Sequence, residues 1–97
     1  MYFPLDGPGL NKSITVTSTP IELKVGATAL DGRKVVTAQA IDGEIYYGYS
    51  SSVTASAGAN AGSKVFEGQL LLLECTYKLP IYLVSEGSVE VRITEVA

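Results

Sequence analysis

Histidine and tryptophan are absent from this chain, cysteine occurs once, and charged residues make up only 18% of its 97 positions. Each shortage excludes something. Without histidine, and with Cys75 alone, no zinc or haem site of familiar type can be assembled, and no internal disulfide can form. No cofactor is expected, and a serine nucleophile would lack its usual base. Seven basic residues stand against ten acidic ones, with no basic run to track phosphates, so nucleic acid is not an expected partner. Leu70 to Leu73, a dense apolar run, is far short of the ~20 residues that a membrane helix needs, and no membrane partner is expected. The opening MYFPLDGPGLNKS has neither a basic leader nor a long apolar stretch, so the expectation is a protein made and used without export.

What is present is β pattern. Hydrophobic residues form 46% of the chain, enough for one domain burying roughly 65% of its unfolded surface. The stretch Val35 to Tyr49, VVTAQAIDGEIYYGY, consists of two runs rich in β-branched and aromatic residues around Asp42-Gly43. That dipeptide between such runs predicts a two-residue type I′ hairpin, with Ala40 opposite Ile45 and Ala38 opposite Tyr47. Period-2 alternation then assigns Val36, Ala38, Ala40, Ile45, Tyr47 and Tyr49 to the core. Gln39, Tyr46 and Gly48 are assigned outward, or toward a partner.

Residues 1 to 12 combine Pro4, Gly7, Pro8 and Gly9 with Tyr2, Phe3, Leu5 and Leu10. Such a segment predicts an extended arm, packed on its own domain or on a neighbour, followed by a β domain over 13 to 97. Two short strands broken at Pro20, or one strand bent there, follow, then a connection with Leu30 inward and a turn at Asp31-Gly32. Residues 55 to 63 are only Ala, Ser, Gly and Asn, which predicts a mobile loop or a surface that orders against a partner. Gly68 marks a turn, the run 69 to 75 reads as a strand covered on both faces, with a short helix left open by periodicity alone, and a second hairpin is expected around residues 85 to 88. Val89, Val91 and Ile93 alternate with Glu90, Arg92 and Thr94. The expected architecture is all-β, a single antiparallel sandwich or partly open barrel of six or seven strands.

Candidate chemistry is thin. Gly58 to Lys64 has the flavour of a phosphate loop, but its spacing is one short and a strand-like run follows where a helix is needed. Ser50, Ser51 and Ser52 have no base, and neither Lys34 nor Lys64 is spaced to replace one. Glu44, Glu67, Glu74, Glu90 and Glu95 are expected to be scattered surface acids. Cys75, with Lys78 nearby, is expected to be a buried structural thiol. No catalytic constellation emerges, and the expectation is a protein that is not an enzyme. The candidate partner-binding residues are Tyr2, Phe3, Leu5, Leu10, Tyr46 and Asn60, the aromatics because they are rigid and amphipathic.

Across residues 20 to 97 the order of short motifs resembles a group of small phage virion proteins. It is carried by Leu30-Asp-Gly-Arg-Lys-Val-Val, Asp42-Gly-Glu-Ile-Tyr-Tyr-Gly48, Ser51-Ser-Val-Thr54, Phe66-Glu-Gly68, Ile81-Tyr-Leu-Val84 and the ending Val89-Glu-Val-Arg-Ile-Thr-Glu-Val-Ala97. The resemblance covers about four-fifths of the chain. Ala38 and Ala40 depart from it, standing where larger residues are usual, as does Tyr47 in place of an aliphatic. It implies a non-enzymatic virion structural protein, assembled in the host cytoplasm. The role implied is a capsid decoration or cement protein binding the major capsid protein. A tail, neck or fibre component is the alternative within that class, and a carbohydrate-binding β-sandwich module the alternative outside it. The resemblance also allows a homo-oligomer, a trimer among the options, though no residue pattern sets the number.

Overall fold

The computed structural model describes residues 5–97, which form eight strands and no helix. The strands are β1 Gly9–Val16, β2 Ile21–Glu22, β3 Val35–Ala40, β4 Ile45–Gly48, β5 Ser63–Val65, β6 Leu70–Leu73, β7 Tyr82–Val84 and β8 Val89–Val96. They build two four-stranded sheets, in the orders β1-β8-β3-β6 and β2-β7-β4-β5, with every strand pair antiparallel. Successive strands alternate between the sheets except at β4 and β5. This is the order of an eight-stranded jelly roll, in which two packed sheets share one core.

The expected sandwich is therefore present, with eight strands in place of six or seven. The expected hairpins are not. β3 and β4 lie in different sheets, so Ala40 pairs with Val91 rather than Ile45, and Tyr47 pairs with Leu83 and Ser63 rather than Ala38. Asp42-Gly43 is the crossing between sheets. Neither residue has positive φ, so the type I′ geometry is absent. Gly43 serves close approach instead: a Cβ there would lie 2.8 Å from Val89 Cγ2. The Asp42 carboxylate accepts the Glu90 N–H at 2.8 Å and ties the crossing to β8.

Residues 85 to 88 form a second crossing where a hairpin was expected, carrying the chain from β7 to β8. Ser85 is buried there, its N–H donating to the Thr17 carbonyl (2.9 Å) and its hydroxyl to that of Val16 (3.1 Å). The break at Pro20 behaves as expected, since β1 and β2 belong to different sheets. Asp31-Gly32 also makes its turn, with Gly32 at φ 75° and Arg33 N–H bonded to Leu30 O.

Alternation predicted burial better than pairing. Val36, Ala38, Ala40 and Ile45 are fully buried, and Tyr47 packs half-buried against them. Side-chain parity depends on the strand alone, so it survives a change of partner. Tyr49 is the exception, 52% exposed, because β4 ends at Gly48 and the chain turns before reaching the core. The outward sets face opposite sides of the sandwich, Gln39 on one sheet and Tyr46 on the other.

The segment read as an arm is partly strand. Gly9 to Lys12 already pair with Ile93 to Val96, and the ladder extends back through Gly7 N–H to Ala97 O (2.9 Å) and Ala97 N–H to Pro8 O (3.0 Å). Two glycines and a proline do not prevent this, because β1 is an edge strand and needs a partner on one side only. Tyr2 and Phe3 lie outside the described residues.

Glu95 is no surface acid. It follows Val89, Val91 and Ile93 on the inward face of β8 and is fully buried with Arg33, their Oε2 and Nη1 atoms 2.7 Å apart. The carboxylate also accepts the N–H groups of Val25 (2.8 Å) and Leu30 (3.0 Å). The guanidinium donates to the carbonyls of Leu79 (2.9 Å) and Leu23 (3.4 Å), and among the described residues its Nε finds no partner. Removing one member of such a pair strands a buried charge. Arg33→Met is expected to lower unfolding free energy by about 3–5 kcal/mol, read from urea denaturation. A loss below about 1 kcal/mol would show that the pair is not structurally needed.

Candidate functional site

Among the described residues, two of the surfaces combine exposed aromatic or apolar side chains with a defined backbone setting. The first is a cleft of about 280 Å³ at the end of β4, lined by Tyr47, Gly48, Tyr49, Ser50, Ser52, Val53, Asn60, Ala61 and Ser63. Its outer wall is the small-residue loop, which closes on its own chain without a partner. Thr54 N–H donates to Asn60 O and Gly62 N–H to Thr54 O, both at 2.9 Å, and Thr54 and Ala61 form a parallel bridge. Val53 is the anchor. It is buried against two glycines, and a Cβ at Gly48 or Gly62 would lie within 2.7 or 2.8 Å of its Cγ2. The small residues are thus what lets the loop pack tightly on β4.

Inside the cleft, the Tyr47 and Tyr49 rings meet edge to face, with centroids 6.2 Å apart and planes at 84°. Ser50 and Ser52 hydroxyls bond each other at 2.9 Å, and Ser50 Oγ accepts the Ser52 N–H. The two lysines considered as bases have other partners. Lys34 pairs with Asp6 at 3.5 Å, and Lys64 with Glu44 at 3.2 Å. The Glu44 carboxylate holds the Lys64 ammonium above its ordinary pKa, and that ammonium also sits 5.1 Å from the Phe66 ring centroid. A strand, β5, follows the glycine-rich segment where a phosphate loop would need a helix.

The second surface is the β6 edge. Leu70 and Leu72 are each more than half exposed, while Leu71 and Leu73 pack against the core. The run was expected to be covered on both faces, but only its inner face is. Phe66 and Ile41 are exposed beside it, where Gly68 N–H donates to Ala40 O and Gln39 Nε2 to Gly68 O. Cys75, just past β6, is half-buried against the core.

The candidate partner-binding residues do not converge. Asn60 lines the cleft. Tyr46 is on the same strand but points to the outer side of its sheet, where its hydroxyl reaches Glu86 at 3.4 Å. Leu10 lies on β1, across the first sheet from β6, with Leu5 exposed just before it. Parity alone marks Tyr49 as core, and apolar run length alone marks Leu70 and Leu72 as core, so neither signal points to them as surface. The end of β4 and the open flank of β6 were the missing facts. No family model, curated protein or solved structure matches the chain.

The cleft's construction is open to test. Gly62→Ala would place a methyl 2.8 Å from Tyr47 O, a backbone atom that cannot easily give way. The expected loss is about 1–3 kcal/mol of stability, with faster amide exchange at Thr54 and Gly62. Unchanged exchange would mean that the loop is held by other contacts.

Proposed function

We propose that the protein is a non-enzymatic structural component of a phage virion, a capsid decoration or cement protein that binds the major capsid protein. The motif order over residues 20 to 97 supports this reading. The jelly-roll strand order agrees with it by analogy, since such folds recur in viral capsid proteins, although the same fold also serves lectins and cupins.

The observation that carries the proposal is the β6 edge. Free sheet edges present unpaired backbone groups, and proteins usually protect them with charge, shortness or cover. Here β2 has two residues, β5 has three with Lys64 among them, and β1 carries Lys12. β6 has four leucines and no charge, with Phe66 and Ile41 extending the apolar surface. Such an edge suits burial against another virion protein, through strand addition and apolar contact.

Leu70→Lys/Leu72→Glu should leave the fold intact, because both side chains point to solvent, and should weaken binding to capsid shells of the parent phage roughly tenfold or more. Cosedimentation reads the binding, and circular dichroism the fold. A binding curve superimposable on the wild type's would remove β6 from the contact.

A further inference from the structure

We propose that the cleft at the end of β4 is a binding site for a single neutral sugar ring. The inference does not depend on the virion reading, because the cleft belongs to the other sheet and uses none of the β6 edge.

Its lining has the chemistry such a ring requires. Ser50, Ser52 and Ser63 offer hydroxyls and Asn60 an amide, groups that both donate and accept, as sugar hydroxyls do. Among the described residues no lysine, arginine or carboxylate lines the cleft, so no cation there would compensate a phosphate or a carboxylate. A wholly apolar ligand would make no hydrogen bond with the Ser63 hydroxyl or the Asn60 amide. The ligand class that remains has hydroxyls on its rim and an apolar C–H face.

Tyr49 is placed to meet that face. The residue is 52% exposed, yet its ring is steadied by the edge-to-face contact with Tyr47. A T-shaped contact engages one edge and one face, leaving ring surface for a third ring to stack on. The cleft volume of about 280 Å³ lies just below the range of drug-sized ligand pockets, which fits one ring with the remainder of a longer glycan in solvent. From Tyr46 to Ser63 the chain is almost entirely Tyr, Ser, Gly, Ala and Asn. Antibody loops favour a similar mixture, because tyrosine gives contact area at low entropic cost while serine and asparagine adapt their hydrogen bonds. With one ring covered on one side, affinity should be about millimolar.

The test is a titration of the ¹⁵N-labelled protein with glucose, galactose, mannose and N-acetylglucosamine, with inorganic phosphate and a proline-rich peptide as competing probes. At least one sugar should produce saturable amide shifts confined to residues 48–53 and 60–63. Tyr49→Ala and Asn60→Ala should each weaken that binding about tenfold or more while the remaining spectrum is unchanged, and Tyr49→Trp should retain it. The proposal fails if no sugar gives saturable shifts there, or if only phosphate or the peptide does. It fails equally if the sugar shifts persist undiminished in both alanine variants.

Discussion

A buried ion pair holds together parts of the chain that the strand ladders leave separate. Arg33 and Glu95 are in contact within the sandwich, and between them they bond Leu23, Val25, Leu30 and Leu79. Those residues belong to the long connection between β2 and β3 and to the approach to β7. Past the bond from Leu23 N–H to Ile81 O, which prolongs the β2–β7 ladder, Val25, Leu30 and Leu79 lie outside any named strand. The pair supplies that satisfaction from the end of β8, offsetting the desolvation of two charges with several hydrogen bonds. An apolar replacement could fill the volume, but it would leave the Val25 and Leu30 N–H groups unpaired.

The alternation of strands between sheets leaves two kinds of free surface. Each sheet ends in edge strands, and each sheet-to-sheet crossing or loop exposes the ends of strands. The β6 edge belongs to the first kind and the Tyr49 cleft to the second. They differ in chemistry as they differ in position. β6 offers leucines and unpaired backbone groups, which suit an extended protein partner. The cleft offers hydroxyls, an amide and a steadied aromatic ring, which suit a small neutral ligand. Loops on a rigid β scaffold commonly carry such sites, because the scaffold orients them without sharing in the contact.

Much of this was legible residue by residue. The turn at Asp31-Gly32, the break at Pro20, the turn at Gly68 and the inward set Val36, Ala38, Ala40 and Ile45 all followed from local backbone preference and period-2 alternation. The burial of Glu95 was within reach as well, since parity from Val89 through Ile93 places it inward, and an inward acid demands a cation. A count of acids does not carry that information, whereas their parity does. Asp42-Gly43 misled for a different reason. An Asp-Gly pair is equally at home in a two-residue hairpin and in a crossing that must pass close to Val89, and local propensity cannot separate the two.

The chain's own pattern thus determined which side chains of β3 and β8 face the core, because alternation is a property of a single extended strand and needs no partner. It also determined that the protein is all-β, from the density of β-branched and aromatic residues and the punctuation by glycine and proline. Only the tertiary structure decided which strands pair, which edge is left open, and that a loop of small residues closes into a cleft. Those outcomes depend on contacts between residues distant in sequence, such as Val36 with Leu73 and Val53 with Gly62. Packing two sheets over one core selects among pairings that local preference leaves nearly equal in energy.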